Sequence, residues 1–271
     1  MKSSSVWRCA DLTTGTQAKK QPRSTTGMRS NPLLQRTASP PAERKRRHPM
    51  NLLMFYASIV ECPNTETQCP GVVNSSATGW PPRGFFTEAS APPVEILAVC
   101  KNPGHLLPDE ADHYRGRSST EIVAEHVAYQ RASFGGQNDL SVEARRSTTF
   151  HKNLLRYLTF FLDMPPQQVF RRVAYTNLVK CSTHGERDTL RPKTMTECFS
   201  RHFVRELDYF RPGALLAFGR DIEKFLLAAR LRGEHKLPVI YVKHPSYYYG
   251  KEEEFATLSR IKAELRSYTG A

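Results

Sequence analysis

Four short apolar runs, separated by segments with helical patterning, constrain the fold of this chain most strongly. The runs are Glu95–Cys100, Val173–Val179, Ala214–Phe218 and Pro238–Val242. A strand that is buried on both faces of a parallel sheet reads as a continuous apolar run, and a helix between two such strands makes a right-handed crossover. The sequence therefore predicts an α/β fold, a three-layer α/β/α sandwich with a short, mostly parallel four-stranded sheet.

The segments between and after these runs carry apolar residues at the spacing of an amphipathic helix. Such stripes begin at Phe150, Met195, Ile222 and Phe255, and Pro192 stands near the start of the second helix. The helices are expected to cover both faces of the sheet, because they alternate with the strands along the chain.

Three segments that precede the second apolar run are less regular. Leu52–Val60 is apolar at mixed spacing and predicts a first helix or strand. Residues 71–93 are rich in Pro, Gly and Ser, which predicts mostly irregular structure. Residues 105–146 are polar and charged, and we expect a long surface insertion there that contains a helix over Thr120–Arg131.

The positive charge of the chain is concentrated near its N-terminus. The 271 residues carry a net charge of +13, of which residues 1–49 contribute +9, from 11 Lys and Arg against 2 Asp and Glu. This composition predicts a basic disordered tail over residues 1–49 and one domain over residues 50–271. Arg44–Arg47 could contact phosphates or act as a localisation signal. The alternatives are a solvated tail, or upstream sequence with Met50 as the true start.

The composition also excludes some classes of protein. No run of about 18 or more apolar residues occurs, so no membrane span is predicted. The N-terminus lacks the apolar core of a secretory signal, so we expect an intracellular protein of the cytoplasm or nucleoid. In such a chain the six cysteines favour metal binding or plain burial over disulfides. They are Cys9, Cys62, Cys69, Cys100, Cys181 and Cys198.

Polar motifs follow three of the four predicted strands. Asn102-Pro103-Gly104 follows the first, Asn177 ends the apolar part of the second, and His244-Pro245-Ser246 follows the fourth. Ligands of parallel sheets bind beyond the carboxyl ends of the strands, so these residues are expected to meet at one edge of the sheet. Each motif taken alone is also compatible with an ordinary turn or loop cap.

Together, these motifs resemble the uracil-DNA glycosylase superfamily. The segment Thr176–Cys181, with a further cysteine at Cys198 and a strand ending in Phe-Gly-Arg, resembles the iron–sulfur branches. Ile96–Gly104 is similar to the first motif of the superfamily, and Val239–Ser246 is similar to its His-Pro-Ser motif. The Asn-Pro-Gly form of the first motif resembles other branches, because the iron–sulfur branch usually reads Gly-Glu-Ala-Pro-Gly. The resemblance covers roughly residue 61 to the C-terminus.

The resemblance implies a role for each motif. Asn102 would orient the attacking water, in a turn shaped by Pro103 and Gly104. His244 would donate a hydrogen bond to uracil O2, where negative charge grows as the glycosidic bond breaks. Asn177 would pair with uracil O4 and N3–H.

The same resemblance implies contacts with the flipped base and the DNA around it. Phe150 would stack on the base, although its spacing fits core packing equally well. Pro245, Ser246 and Tyr247 belong to a loop that would enter the DNA, where Tyr247 and the next two tyrosines could stack or act as a wedge.

Cys62, Cys69, Cys181 and Cys198 are the four thiols that the resemblance assigns to a [4Fe–4S] cluster. The second pair has the spacing of the family, whereas the first pair is wider than the usual Cys-x2-Cys. A structural zinc ion and four unligated thiols are the alternatives.

The resemblance implies a monofunctional DNA glycosylase that hydrolyses the N-glycosidic bond of uracil, or of a related deaminated base, by base flipping. Such an enzyme would initiate base-excision repair, act as a monomer on damaged DNA and need no membrane. Two alternatives are a non-catalytic iron–sulfur protein that binds nucleic acid and retains the fold, and a hydrolase of small nucleosides.

Overall fold

The computed structural model of the protein describes residues 52–65, 67–73, 84–104, 114, 116–135, 149–183, 190–247 and 249–269. The predicted tail over residues 1–49 lies outside the described residues, as does much of the predicted insertion. Within the part of the chain that is described, no helix is long and apolar enough to cross a membrane.

Helices and strands alternate along most of the chain. In chain order they are α1 (Leu52–Val60), β1 (Phe85–Phe86), β2 (Ile96–Cys100), α2 (Ser119–Gly135), α3 (Thr149–Leu162), α4 (Pro166–Val169), β3 (Val173–Asn177), α5 (Pro192–Cys198), a π-helical turn (Phe199–Phe203), α6 (Val204–Phe210), β4 (Ala214–Phe218), α7 (Arg220–Leu231), β5 (Val239–Val242) and α8 (Lys251–Thr269).

The sheet has five strands in the order β1-β3-β2-β4-β5. The four predicted strands all pair in parallel, with Cys100 opposite Asn177 at the carboxyl ends of β2 and β3. The fifth strand, β1, is antiparallel and lies in the segment that was predicted to be mostly irregular. The predicted count of four was therefore one too low, because a two-residue edge strand is too short to form an apolar run.

Two hydrophobic cores lie on the two faces of the sheet, which confirms the three-layer sandwich. Residues of β2 alternate between them, as side chains of a strand must. Leu97 and Val99 face the core formed with α1, α5, α6 and α7. Ile96 and Ala98 face the core formed with α3 and α8.

Helix α2 confirms the helix that was predicted over Thr120–Arg131, and one of its sides is buried. Its sequence carries a capping box, in which Glu121 Oε2 accepts from the Ser118 N–H at 2.8 Å and Ser118 Oγ accepts from the Glu121 N–H at 3.4 Å. Ile122 and Val123 are almost fully buried in the core with α1. The helix continues to Gly135, four residues beyond its predicted end.

A π-helical turn interrupts the helix that was predicted from the stripe beginning at Met195. The apolar residues Met195, Phe199 and Phe203 are four apart, which exceeds the 3.6-residue turn of an α-helix. The π turn over Phe199–Phe203 accommodates this drift, and all three side chains are buried. It also places His202 on the same buried side.

A fully buried ion pair joins the loop after β3 to α6. The Lys180 ammonium lies 2.5 Å from Glu206 Oε2, and both side chains are at most 1% exposed. The ammonium also donates to Thr176 Oγ1 at 2.7 Å and to the Asn177 carbonyl oxygen. Glu206 Oε1 accepts from Thr176 at 2.7 Å and from the Tyr56 hydroxyl at 2.8 Å. Each ammonium proton therefore has an acceptor, which is what a buried charge requires.

Removing the cation should leave an uncompensated buried carboxylate. We expect Lys180→Met to lower the free energy of unfolding by about 3–5 kcal/mol, as measured by urea denaturation. Lys180→Met combined with Glu206→Gln should recover part of that loss, because a neutral amide still accepts from Tyr56 and Thr176.

The control is Arg232→Met, which removes the cation of an exposed pair with Glu234 and should leave the unfolding midpoint near that of the wild type. Equal midpoints for Lys180→Met and Arg232→Met would contradict the importance of the buried pair.

Candidate active site

A cavity of about 370 Å³ opens at the carboxyl edge of the parallel strands. This volume lies in the usual range of ligand pockets. Seven residues that the sequence singled out line it: Asn102, Pro103, Gly104, Phe150, Asn177, His244 and Ser246. The structure therefore brings the three strand-end motifs and the start of α3 around one space.

His244 is positioned by the turn that follows β5. Its Nδ1 accepts from the Ser246 N–H at 3.3 Å, so the neutral ring carries its proton on Nε2. Burial lowers the pKa of His244. At neutral pH the ring is therefore an uncharged hydrogen-bond donor.

Phe150 stands between several rings of the cavity wall. Its centroid lies 5.6 Å from that of His244, 5.6 Å from that of Tyr175 and 5.4 Å from that of His151. The side chain is only partly buried and packs against the edge of the core. One part of the ring therefore supports the core, as one of the two alternatives predicted, while another part borders the cavity.

Pro245 and Tyr247 lie beside the cavity. The Pro245 carbonyl oxygen accepts from Asn153 Nδ2 at 2.7 Å, which ties the loop after β5 to α3. Tyr247 is 64% exposed, and its ring centroid lies 6.0 Å from that of His244. Tyr248 lies outside the described residues. Tyr249 is half-buried, and its hydroxyl accepts from the Lys243 N–H at 3.0 Å, so it anchors the loop.

Asn177 is completely buried at the end of β3. Gly84, directly before β1, lies against it. A Cβ atom at position 84 would be 1.7 Å from Asn177 Nδ2. The φ angle of Gly84 is +71°, which also favours glycine there.

Helix α2 supplies a polar wall that sequence reasoning missed. His126 Nε2 accepts from the Gly84 N–H at 3.2 Å and lies 3.3 Å from Gln130 Nε2. Gln130 Oε1 lies 3.2 Å from Nε2 of His151, which belongs to α3. A sequence signal existed, because His126 and Gln130 are four residues apart and so share one helix face.

The charge state of His151 bears on the direction of its hydrogen bond to Gln130. Burial lowers the pKa of His151 to about 4, so its ring is neutral at pH 7. Its Nε2–H can then donate to Gln130 Oε1. The Gln130 amide nitrogen and the Gly84 N–H both lie within hydrogen-bonding distance of His126 Nε2 and share its single lone pair.

Cys100 and Lys101, which stand where the first motif of the iron–sulfur branch usually has Gly and Glu, have separate environments. Cys100 lines the cavity and is buried, which raises the pKa of its thiol. The Lys101 ammonium lies 2.8 Å from Asp221 Oδ2, at the start of α7. This ion pair holds the Lys101 side chain against the start of α7, beside the carboxyl edge of the sheet.

A second cavity contains the four thiols that the sequence grouped. Cys62, Cys69, Cys181 and Cys198 all line it, together with Lys180 and His202. None of these four cysteines forms a disulfide.

Two side chains contact the sulfur atoms of this second cavity. Asn64 Nδ2 donates to Cys69 Sγ at 3.3 Å, and His202 Nε2 lies 3.2 Å from Cys62 Sγ. Burial raises the pKa of Cys198 and Cys69.

A single zinc ion and an iron–sulfur cluster differ in the spacing of the thiolates that they require. Among the described residues, no group of three or more His, Cys, Asp or Glu side chains is placed to hold a single ion. Four thiolates around one zinc ion would lie within about 3.8 Å of each other, given a Zn–S bond of about 2.3 Å. A cluster of several irons accepts wider spacing, because each thiolate binds a different iron.

Comparison with known families agrees with this architecture. The family model of the uracil DNA glycosylase superfamily matches residues 91–266, and the chain belongs to that superfamily. No curated protein matches the chain at a significant level.

The buried neutral His151 predicts acid destabilisation. Between pH 6.5 and about pH 4, His151 is protonated in the unfolded chain but stays neutral in the folded chain. The free energy of unfolding should therefore decrease as the pH is lowered through this window, by up to about 1.4 kcal/mol per pH unit from this residue. His151→Gln keeps a donor for Gln130 but does not titrate. It should lose less stability than the wild type between pH 6.5 and 4.5, as measured by denaturant titrations. If the unfolding free energies of the two proteins change in parallel with pH, His151 is not the source of this loss of stability.

Proposed function

We propose that this member of the uracil-DNA glycosylase superfamily hydrolyses the N-glycosidic bond of uracil, or of a related deaminated base, in DNA. One observation supports the proposal most strongly. Two carboxamides, an aromatic ring and an imidazole donor border one cavity of about 370 Å³, which has room for a flipped base. They belong to Asn102, Asn177, Phe150 and His244. The nucleotide would be flipped out of the duplex into this cavity.

The bond-breaking step depends on charge that develops in the leaving base. The Nε2–H of His244 can donate to uracil O2, where negative charge accumulates as the bond to the sugar breaks. Because the ring is neutral, it stabilises this charge by a hydrogen bond and keeps its own proton.

Asn102 supplies the other half of the reaction. Its carboxamide is not a base, so its role is to orient water toward C1′ of the sugar. The leaving uracil anion is stabilised by delocalisation, which reduces the need for a carboxylate acid such as most sugar hydrolases use.

Base selection would come from Asn177 and Phe150. The carboxamide offers one donor and one acceptor, which match uracil O4 and N3–H and oppose the pattern of cytosine. The exposed part of the Phe150 ring would stack on the base, which contributes on the order of 1–3 kcal/mol.

The loop after β5 is suited to enter the duplex. Tyr249 and the Asn153 contact to Pro245 hold its two ends, while Tyr247 remains largely exposed beside the cavity. We therefore assign Tyr247 as the ring that would stack where the flipped base has left. The protein would act as a monomer on DNA, in the cytoplasm or nucleoid, and would start base-excision repair.

We also propose a [4Fe–4S] cluster in the cavity lined by Cys62, Cys69, Cys181 and Cys198. Support comes from the shared cavity of the four thiols and from the Asn64 donor, which suits a thiolate. The bound cluster would cross-link the segment after α1 to the loop after β3 and to α5.

Loss of either catalytic group should slow chemistry and spare DNA binding. In single-turnover excision of uracil from a duplex, we expect Asn102→Ala and His244→Ala each to be about 100–1000-fold slower than the wild type. The product should be an abasic site whose strand breaks only after treatment with alkali.

The control is His235→Ala, since His235 is a buried histidine that contacts the Leu226 carbonyl oxygen, away from the cavity. Full activity in both active-site variants would place the site elsewhere. A wild type that excises uracil, hypoxanthine, xanthine and mismatched thymine from no substrate would favour the non-catalytic alternative. Competition by long DNA would distinguish a DNA glycosylase from a nucleoside hydrolase.

The cluster can be tested independently of activity. Protein purified without oxygen should contain iron and show broad visible absorbance from thiolate-to-iron charge transfer. Cys181→Ser and Cys198→Ser should lose iron and unfold at lower temperature, because metal binding is coupled to folding. Cys100→Ser is the matched control, as that cysteine lies at the other cavity. Wild-type protein with neither iron nor zinc would refute the cluster.

A further inference from the structure

Gly84 has an unusually close contact with the side chain of Asn177. A Cβ atom at this position would lie 1.7 Å from Asn177 Nδ2, 2.8 Å from Asn177 Cγ and 2.9 Å from the Tyr175 hydroxyl oxygen. No side chain fits in that space. The backbone of Gly84 therefore packs directly against the Asn177 amide nitrogen, and any larger residue at position 84 would displace that side chain.

Two elements hold Gly84 in this position. The next residue, Phe85, pairs with Thr176 in the sheet, one residue before Asn177. On the other side, the Gly84 N–H donates to His126 Nε2 at 3.2 Å. The His126 ring also lies against Phe85, with ring centroids 4.9 Å apart.

Helix α2 also positions His126 Nε2, which accepts the hydrogen bond from the Gly84 N–H. His126 and Gln130 are 3.3 Å apart, and Gln130 Oε1 is 3.2 Å from His151 Nε2 on α3. His126, Gln130 and His151 are all at most 7% exposed. The contact of Gly84 with Asn177 is thus backed by two helices, through residues that take no part in the proposed bond-breaking step.

The orientation of the Asn177 carboxamide decides which base it matches. With its nitrogen toward position 4 and its oxygen toward position 3, it matches uracil O4 and N3–H. Turned by half a rotation, the same amide matches the N4 amine and the N3 acceptor of cytosine. Either match requires the carboxamide to stay at the cavity wall, where Gly84 packs against it.

We propose that Gly84, held by His126 of helix α2, is a positioning residue that keeps the Asn177 carboxamide at the cavity wall and so supports the excision of uracil. The inference rests on the proposed reading of the base by Asn177.

A pair of glycine substitutions tests this contact. Gly84 and Gly233 have φ angles of +71° and +78°, so alanine is similarly strained at both, but a Cβ at Gly233 meets nothing within 4 Å. Gly84→Ala should lower kcat/KM for uracil excision on the order of 10–100-fold, as the loss of one bidentate base contact does. Gly233→Ala should keep the wild-type value. Equal effects of the two substitutions would overturn the proposal.

A double-mutant cycle shows whether Gly84 acts through Asn177. Asn177→Ala removes the amide and leaves space for an added methyl group. Gly84→Ala should then cause little further loss in the Asn177→Ala background. Additive losses would mean that Gly84 serves the fold or another residue, and would refute the positioning role.

A second variant and a spectroscopic readout cover the cases in which Gly84→Ala fails to fold or the wild type lacks activity. His126→Phe keeps the ring contact with Phe85 but removes the acceptor for the Gly84 N–H. The side-chain amide NMR signals of Asn177, assigned by their loss in Asn177→Ala, should shift or broaden in His126→Phe and stay unchanged in Gly233→Ala. An unchanged amide signal in His126→Phe would refute the positioning role. If the wild type does not excise uracil but the predicted NMR change occurs, the proposed function is refuted and the positioning role is retained.

Discussion

The buried ion pair between Lys180 and Glu206 is the interaction on which both candidate sites depend. Taking two charges out of water costs several kcal/mol for each, so such a pair persists only where hydrogen bonds compensate both partners. Here the compensation comes from Tyr56 on α1, from Thr176 on β3 and from the Asn177 carbonyl oxygen. The same residues lie next to both sites, because Asn177 borders the base cavity and Lys180 directly precedes Cys181. One polar cluster therefore includes residues that line both the base cavity and the thiol cavity.

The sequence predicted the central fold well, for a physical reason that also explains what it missed. The strands β2, β3 and β4 are buried on both faces, so composition alone reveals them. Strand β1 has two residues, and its pairing with Tyr175 and Thr176 is decided by tertiary contacts. The extent and burial of α2 also depend on its packing against α1, which no local pattern within a polar segment reports.

In the candidate site, too, some residues could be predicted from the sequence and others depend on tertiary packing. Asn102, Asn177 and His244 could be grouped in advance, since the carboxyl ends of parallel strands meet at one edge of a sheet. The grouping of Gly84 with His126 and Gln130 could not, because it depends on how α2 packs against the rest of the domain. The partner of Lys180 was equally hidden, since Glu206 lies on a separate helix. Rules of topology thus locate the residues that follow strands, whereas residues that support them require the packed structure.

The π turn at Phe199–Phe203 makes the helix sensitive to the number of its residues. One residue of an α-helix corresponds to about 100° of rotation around its axis. Cys198 lies before the turn and Glu206 after it, and both must face the interior. A deletion of one residue within the turn would restore regular helical geometry and keep the two ends close to their present rotation, because the five residues of the turn cover about the same rotation as four α-helical residues. A residue removed from the α-helical turns on either side is not absorbed in this way and would turn the thiol or the carboxylate away from its partners, so single-residue deletions should be tolerated better within Phe199–Phe203 than beside it.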